Sequence, residues 1–426
     1  MSRESRPRLE QFRIEDGRDA IIHLVFDMPD RSMNVFSNSA IHELERFALW
    51  LNDADVRGVV IRSGKTNAFC AGADLGELGQ AYDMIMAESE AERHKIAFDH
   101  FFPLSLAIRT LETSGKPVAV AIAGLALGAG CELALGAHYR VLVDSPRAAL
   151  GLPESLVGLL PGGGGTQRLP RIIGLPAAWP VLLDGERLSG RAALESGLVD
   201  ELVAAGEEVD AAERWILAAP DDRQPWDRAN WQPIDSDMLL DQVAARRADA
   251  RQRPGGHYPA PFAIVECVEQ GLAQPMDDAI RNEMHIFADL IQRPEPRDMI
   301  ATLFAARVEH DRLAKSGGLP KNISDAVARI KGLWAHPALA PAGFGSAPAI
   351  VEPSASYWFE SMPDDQVKAA ARTVLDEIVA GALSEAPNLT LEEQALADYV
   401  AVTQSGFAAF LGGPFSLARH RSNQPS

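Results

Sequence analysis

The sequence predicts an α/β fold that continues into a helical extension and a small helical C-terminal unit. Three observations carry that expectation. Short apolar runs of strand character alternate with helical stretches over the first 205 residues, glycine-rich turns follow several of those runs, and strand signals fade from about residue 206 onward. Strands separated by helices imply parallel pairing, because a parallel neighbour is reached only by a crossover, and they imply helices covering the sheet.

In chain order, 20–27 (AIIHLVFD) and 57–62 (RGVVIR) read as strands flanking a helix over about 37–52. A long helical stretch is expected from Asp74 to about Thr113. The segment VAVAI, 118–122, has no polar side chain and reads as a fully buried strand, and further short strand and helix signals run from Tyr139 to Val203. Beyond that, Ile280, Met284, Phe287 and Ile291 fall four, three and four apart, on one face of a helix. Core packing is a simpler use for that stripe than a cofactor or partner groove. The pieces SGGLP, HPALAPAGFGSAP and VEPSAS make 314–362 a Gly/Pro/Ala-rich connector. The expected divisions are therefore 1–205, 206–313, 314–362 and a last helical unit, 363–426. No internal repeat of fixed period is visible.

The whole chain of 426 residues is long enough for a principal domain and at least one smaller one. Its formal charge of −19 argues against a broad nucleic-acid footprint or attraction to anionic lipid, since both need a basic face. Cys70, Cys131 and Cys267 lie far apart without CxxC spacing, so no disulfide framework or zinc knuckle is expected, and a reducing cytoplasm fits. Residues 1–16 are too polar for a signal peptide, and the nearly apolar run 117–131 is too short to span a bilayer.

The informative segment is KPVAVAIAGLALGAGCELALGAHYRV, 116–141, where a buried strand runs into Gly124, Gly128 and Gly130 and then a short helix carrying Glu132. A glycine turn that opens a helix presents unpaired N–H groups able to hold an anion or a developing oxyanion. A dinucleotide turn is the rival reading, but Leu133 stands where its third glycine belongs. Glu132 alone could simply cap backbone near a helix start. A second acid, Glu154, stands in AALGLPESLVGLLPGGGGTQRLPRIIG, beside another glycine run. Two carboxyls near one water can divide the work of base and acid, because burial and mutual repulsion push their pKa values apart. The glycines at 162–165 lack the Lys-Ser/Thr pair of a P-loop and fit a helix N-terminus better, while Asp74 in NAFCAGADLGEL is equally readable as a cap. No GxSxG, HExxH or EF-hand pattern occurs.

Taken together, AFCAGADL, KPVAVAIAGLALGAGCELAL and LGLPESLVGLLPGGGGTQRLPRIIG resemble, in order and spacing, the crotonase (enoyl-CoA hydratase/isomerase) superfamily. The second and third look closest to the hydratase part of multifunctional fatty-acid oxidation proteins, and the likeness covers roughly 1–310. What the resemblance implies is a crotonase-like spiral of ββα units. It implies an oxyanion hole made by the backbone N–H groups of Ala73 and Ala129, and substrate-binding positions at Ala71, Asp74, Leu75, Gly128 and Gly130. It also implies a water held by two catalytic glutamates, Glu132 assisting attack on the β-carbon and Glu154 supplying the α-proton. The implied activity is hydration of a trans-2-enoyl-CoA in acyl-CoA degradation. Δ3-Δ2 isomerisation, acyl-CoA hydrolysis and a non-catalytic acyl-CoA-binding role are the alternatives.

The family usually has three consecutive glycines before its Cys-Glu pair; here the middle one is Ala129. Alanine there costs roughly 1–2 kcal/mol if the position is left-handed, and nothing if its angles are ordinary. In the multifunctional relatives a linker helix, which 260–313 resembles, leads to an NAD-binding dehydrogenase domain. No GxGxxG fingerprint follows here, whereas GFAAFLGGPF, 406–415, resembles the tail of that dehydrogenase. The expectation is thus a hydratase core, a linker helix and a helical remnant, with no metal, no NAD, and acyl-CoA as substrate rather than cofactor. A homo-oligomer or a complex with other acyl-CoA degradation enzymes is compatible with it.

Overall fold

A computed structural model describes residues 6–66, 68–252, 258–316, 318–334, 336–339 and 365–422. The chain divides into two compact units, one of 1–243 with 263–292 and one of 244–262 with 293–426.

The first unit begins with β1 (Phe12–Asp16), which runs antiparallel to β2 (Ile21–Phe26). Ser37 accepts a hydrogen bond from the Ala40 N–H and so starts α1 (Asn38–Asp53), which crosses to β3 (Gly58–Ser63), parallel to β2. From β3 one pattern recurs: a strand in a large sheet, a short strand in a smaller sheet, then helix. Thus β3 is followed by β4 (Ala68–Cys70), α2 (Leu75–Met86) and α3 (Glu90–Glu112), and β5 (Val118–Ile122) by β6 (Leu125–Leu127) and α4 (Ala129–Gly136). Next come β7 (Tyr139–Val143), β8 (Ala149–Gly151), α5 (Gly165–Ile173) and α6 (Leu175–Asp184). The last turn is β9 (Arg187–Ser189), α7 (Gly190–Glu195), β10 (Glu201–Val203) and α8 (Glu208–Leu217). The large sheet has the order β1-β2-β3-β5-β7-β10 and the small one β4-β6-β8-β9. This is a ββα spiral of the implied kind.

Two features depart from the expected pattern. The sheets are not wholly parallel, because β1–β2 and β8–β9 pair antiparallel at the edges. The helical stretch from Asp74 to Thr113 is interrupted at 87–89, where Ser89 turns extended and Glu90 and Glu92 open a new helix with acids in its first turn. The buried strand VAVAI is as expected: Ala119 and Ala121 pack with Val60 and Val141 under Ala211, Ala212 and Ile216 of α8.

Three helices follow: α9 (Ser236–Gln252), α10 (Pro259–Gly271) and α11 (Met276–Ile291). In the first unit α11 lies along α3 and against α5, and its Ile280, Met284, Phe287 and Ile291 are all buried, as the stripe predicted. The segment 206–313 contributes to both units.

The second unit is helical: α12 (Pro294–Ile300), α13 (Ala306–Ser316), α14 (Lys321–Trp334), α15 (Asp365–Glu385), α16 (Leu391–Ser405) and α17 (Pro414–Ser422). Helix α14 stands within the stretch expected as a connector, 314–362, of which 317, 335 and 340–362 lie outside the described residues. The core joins Ile323, Val327 and Ile330 with Leu375, Ile378, Phe407 and Phe415. Buried Asp398 accepts from the N–H groups of Phe415 and Ser416 and from the Ser416 hydroxyl, tying α16 to α17. Among the described residues no helix is long and apolar enough to cross a membrane, and no cluster of three or more His, Cys, Asp or Glu is arranged to hold a metal ion.

Candidate active site

The site forms where β4 and β6, paired in parallel, end in glycine turns. Gly72 and Gly128 face each other so closely that a Cβ on Gly128 would stand 3.4 Å from the Gly72 Cα. Ala73 and Ala129 are the next residues on the two chains. Phe36 bonds both neighbours of Ala73, donating to the Gly72 carbonyl and accepting from the Asp74 N–H, so in this parallel bridge the Ala73 N–H points away from Phe36. Ala129 is the first residue of α4, where the N–H has no partner inside the helix. The two expected donors therefore sit on adjacent turns. Ala129 is not among the residues with positive φ, so alanine carries no backbone penalty there.

Gly128 is the residue that demands glycine. Its φ of 53° is unfavourable for a side chain, and a Cβ would lie 2.7 Å from Oε1 of Glu154. Gly130 lets α4 pack on β4, since a Cβ would meet that of Cys70 at 2.6 Å. Of the remaining expected positions, Asp74 caps α2 by accepting from the Gly76 and Glu77 N–H groups and pairs with Arg31 at 2.8 Å; Leu75 opens that helix; and Ala71 donates its N–H to the Asn34 carbonyl. Asn34, fully buried, holds the strand ends together: its amide donates to the carbonyls of Phe26 and Phe69, and its carbonyl accepts from the Met28 N–H.

Glu132, in the first turn of α4, is almost fully buried. Its Oε1 accepts the N–H groups of Gly163 at 2.6 Å and Gly165 at 2.8 Å. Glu154 lies on a short 3₁₀ turn, 153–157, after β8; the residue is partly exposed, yet its Oε2 is shielded from solvent and has no hydrogen-bond partner. One carboxyl is thus anchored and the other has a free acceptor.

A third acid, Glu283 on α11, completes the cluster. Its Oε1 accepts the Gly164 N–H at 2.7 Å, and its Oε2 accepts the Thr166 N–H at 3.0 Å and the Thr166 hydroxyl. Four consecutive N–H groups at the start of α5 therefore alternate between Glu132 and Glu283. None of these four is left for a phosphate. Arg168, fully buried, braces the same turn by donating to the Gly163 carbonyl at 2.9 Å while its Nε and Nη2 bind Glu112. No sequence motif marks Glu283, which stands within the apolar stripe of α11; the available signal is an acid inside that otherwise apolar face.

Burial pushes the pKa of all three acids upward, and their charges reinforce the effect: Glu132 raises Glu154 and Glu283, and Glu283 raises Glu154. Against this, Glu132 is held down by two N–H donors and the Arg168 charge. Glu154 is held down only by its own backbone N–H, so it is the acid that keeps its proton while Glu132 ionises. Burial also pushes the Cys70 thiol to about 12 and the Cys131 thiol well up, which leaves both protonated and no cysteine nucleophile beside the pair.

A sequence profile described as Enoyl-CoA hydratase/isomerase matches residues 16–224. The chain is 32% identical over 323 residues to the fatty acid oxidation complex subunit alpha of Shewanella sp. (strain MR-4), an alignment covering 74% of this chain and 44% of that one. The subunit of the same name from Shewanella loihica (strain ATCC BAA-1088 / PV-4) is 34% identical over 320 residues, covering 73% and 43%. This chain spans less than half the length of these relatives. Among solved structures, an enoyl-CoA hydratase from Bacillus anthracis is 23% identical, covers 69% of this chain and 95% of its own, and has a TM-score of 0.43.

Proposed function

With residues 16–224 belonging to the enoyl-CoA hydratase/isomerase family, we propose that this chain adds water across the double bond of a trans-2-enoyl-CoA to give a 3-hydroxyacyl-CoA. The observation that carries this reading is the unequal carboxyl pair, Glu132 anchored by two N–H groups and Glu154 with an unpartnered, shielded oxygen. A water between them has a base on one side and an acid on the other.

In this reading the thioester oxygen lies on the Ala73 and Ala129 N–H groups, where negative charge grows as the β-carbon is attacked. One well-placed donor is worth roughly 3–4 kcal/mol there. Ionised Glu132 takes a proton from the water as its oxygen bonds to the β-carbon. Protonated Glu154 delivers its proton to the α-carbon, and the net change is addition of one water. Both groups act from the same side, so addition is syn. Moving a double bond needs only one such carboxyl, which is why the pair favours hydration over isomerisation.

The test is loss of crotonyl-CoA absorbance with wild type, Glu132→Gln and Glu154→Gln. Each substitution is expected to lower kcat by about 100-fold or more. Free CoA as product would indicate hydrolysis instead. Conversion of 3-enoyl- to 2-enoyl-CoA without hydration would indicate isomerisation, and wild-type silence at every chain length would leave a binding role.

A further inference from the structure

The acid that the two-carboxyl mechanism does not use is Glu283. It is fully buried, it comes from α11 rather than from the ββα spiral, and its carboxyl fills the gaps that Glu132 leaves in one row of N–H groups: Gly163 and Gly165 go to Glu132, Gly164 and Thr166 to Glu283. Gly164, between the two, has a left-handed φ of 95°. The turn is therefore clamped from two sides by carboxyls that hold alternate N–H groups of one short segment.

We propose that Glu283 is a positioning residue for the reaction of the Glu132–Glu154 pair: by holding the Gly164 and Thr166 N–H groups it fixes the turn that orients Glu132, and it sets a third buried carboxyl beside the pair. The proposal rests on the hydratase reading and deepens it. Its physical content is electrostatic as well as steric. Three acids in one poorly solvated pocket do not ionise independently; each charge formed makes the next costlier, so they titrate as a group. The groups that face Glu283 are Glu132 of α4, Glu154 after β8, Thr166, Arg168 and Arg171 of α5 and Cys267 of α10. Helix α3 brings Arg109 and His94 to α11 elsewhere, at Asp277 and Asp289. Two arginines do not offset three carboxylates when Arg168 is already paired with Glu112. When ionised, Glu283 biases Glu154 towards the protonated form that proton delivery needs.

Glu283→Gln removes the charge while preserving shape, and Glu283→Asp keeps the charge on a shorter stem. For Glu283→Gln the expected result is a kcat about tenfold lower with KM changed less than about twofold. The pH profile of kcat should move about one unit towards acid, and Glu283→Asp should restore the wild-type profile in part. Carbon-13 NMR titration of glutamate carboxyls gives the same shift without relying on turnover. If Glu283→Gln does not fold, Thr166→Val carries the test, since losing a donor leaves Glu283 less ionised and moves the remaining acids in the same direction. A folded variant with lowered Tm but unchanged kcat, pH profile and carboxyl titrations would show a purely structural role and overturn the proposal. Wild-type protein that adds no water would defeat the hydratase reading alone, leaving the NMR titration to decide for or against Glu283.

Discussion

Gly128 and Ala129 are adjacent and respond to substitution in opposite ways. Gly128 has a positive φ and Glu154 at its back, whereas Ala129 has ordinary angles at the start of α4. Gly128→Ala should therefore displace the Glu154 carboxyl and lower crotonyl-CoA turnover by about 100-fold, measured at saturating substrate. Ala129→Gly, although it restores the family's glycine triplet, should bring no gain in rate and cost about 0.5–1 kcal/mol in urea unfolding, because glycine in a helix lowers stability. A rate gain for Ala129→Gly would show that the alanine distorts the oxyanion donor. Glu132 and Glu154 were legible in the sequence because each stands beside a glycine turn with recognisable neighbours. Glu283 was not, since its meaning depends on which turn α11 covers, a fact of packing between segments 119 residues apart in the Gly164 contact.

At the scale of elements, the α5 turn is held by buried charge. Arg168 and Glu112 are both fully shielded, and each is satisfied largely by the other. Arg168→Met would strand the Glu112 carboxylate, which among the described residues keeps an ion pair with Arg109 at 3.0 Å. The expected cost is about 3–5 kcal/mol in chemical unfolding, together with loss of activity as the Gly163 carbonyl loses its donor. A cost below about 1 kcal/mol would mean that the pair is not a brace. Sequence patterning located α1, β2, β3 and β5 closely, because apolar periodicity is strong there. It missed β1, three of whose five residues, FRIED, are charged and which becomes a strand as the edge partner of β2. Patterning alone does not show the ββα repeat, which the family resemblance supplies, since the helical segments between successive large-sheet strands differ greatly in length, from α2 and α3 together to α4 alone.

At the scale of the whole molecule, the buried acids couple the site to pH. Glu132, Glu154 and Glu283 all hold their protons above the pH at which the same groups ionise in an unfolded chain. Over that interval the folded state binds more protons than the unfolded one, so these groups make stability fall as pH rises. Buried histidines such as His138, whose pKa is lowered, act in the opposite sense, so the informative quantity is a difference. The Tm of Glu283→Gln relative to wild type should rise steadily from pH 5 to pH 8; a difference independent of pH would mean that burial does not raise the pKa of Glu283. The acidic total charge, by contrast, says nothing about this pocket, where geometry gathers three carboxyls that the sequence keeps far apart.

The most direct test of the central claim, that Glu132 and Glu154 act from one side on one water, is hydration of crotonyl-CoA in D2O with the product analysed by proton NMR and mass spectrometry. The expected product is 3-hydroxybutyryl-CoA carrying a single deuterium at the α-carbon, syn to the new hydroxyl, and this product should be lost with Glu154→Gln. Anti or unselective deuteration, or consumption of substrate without a hydroxylated product, would contradict it.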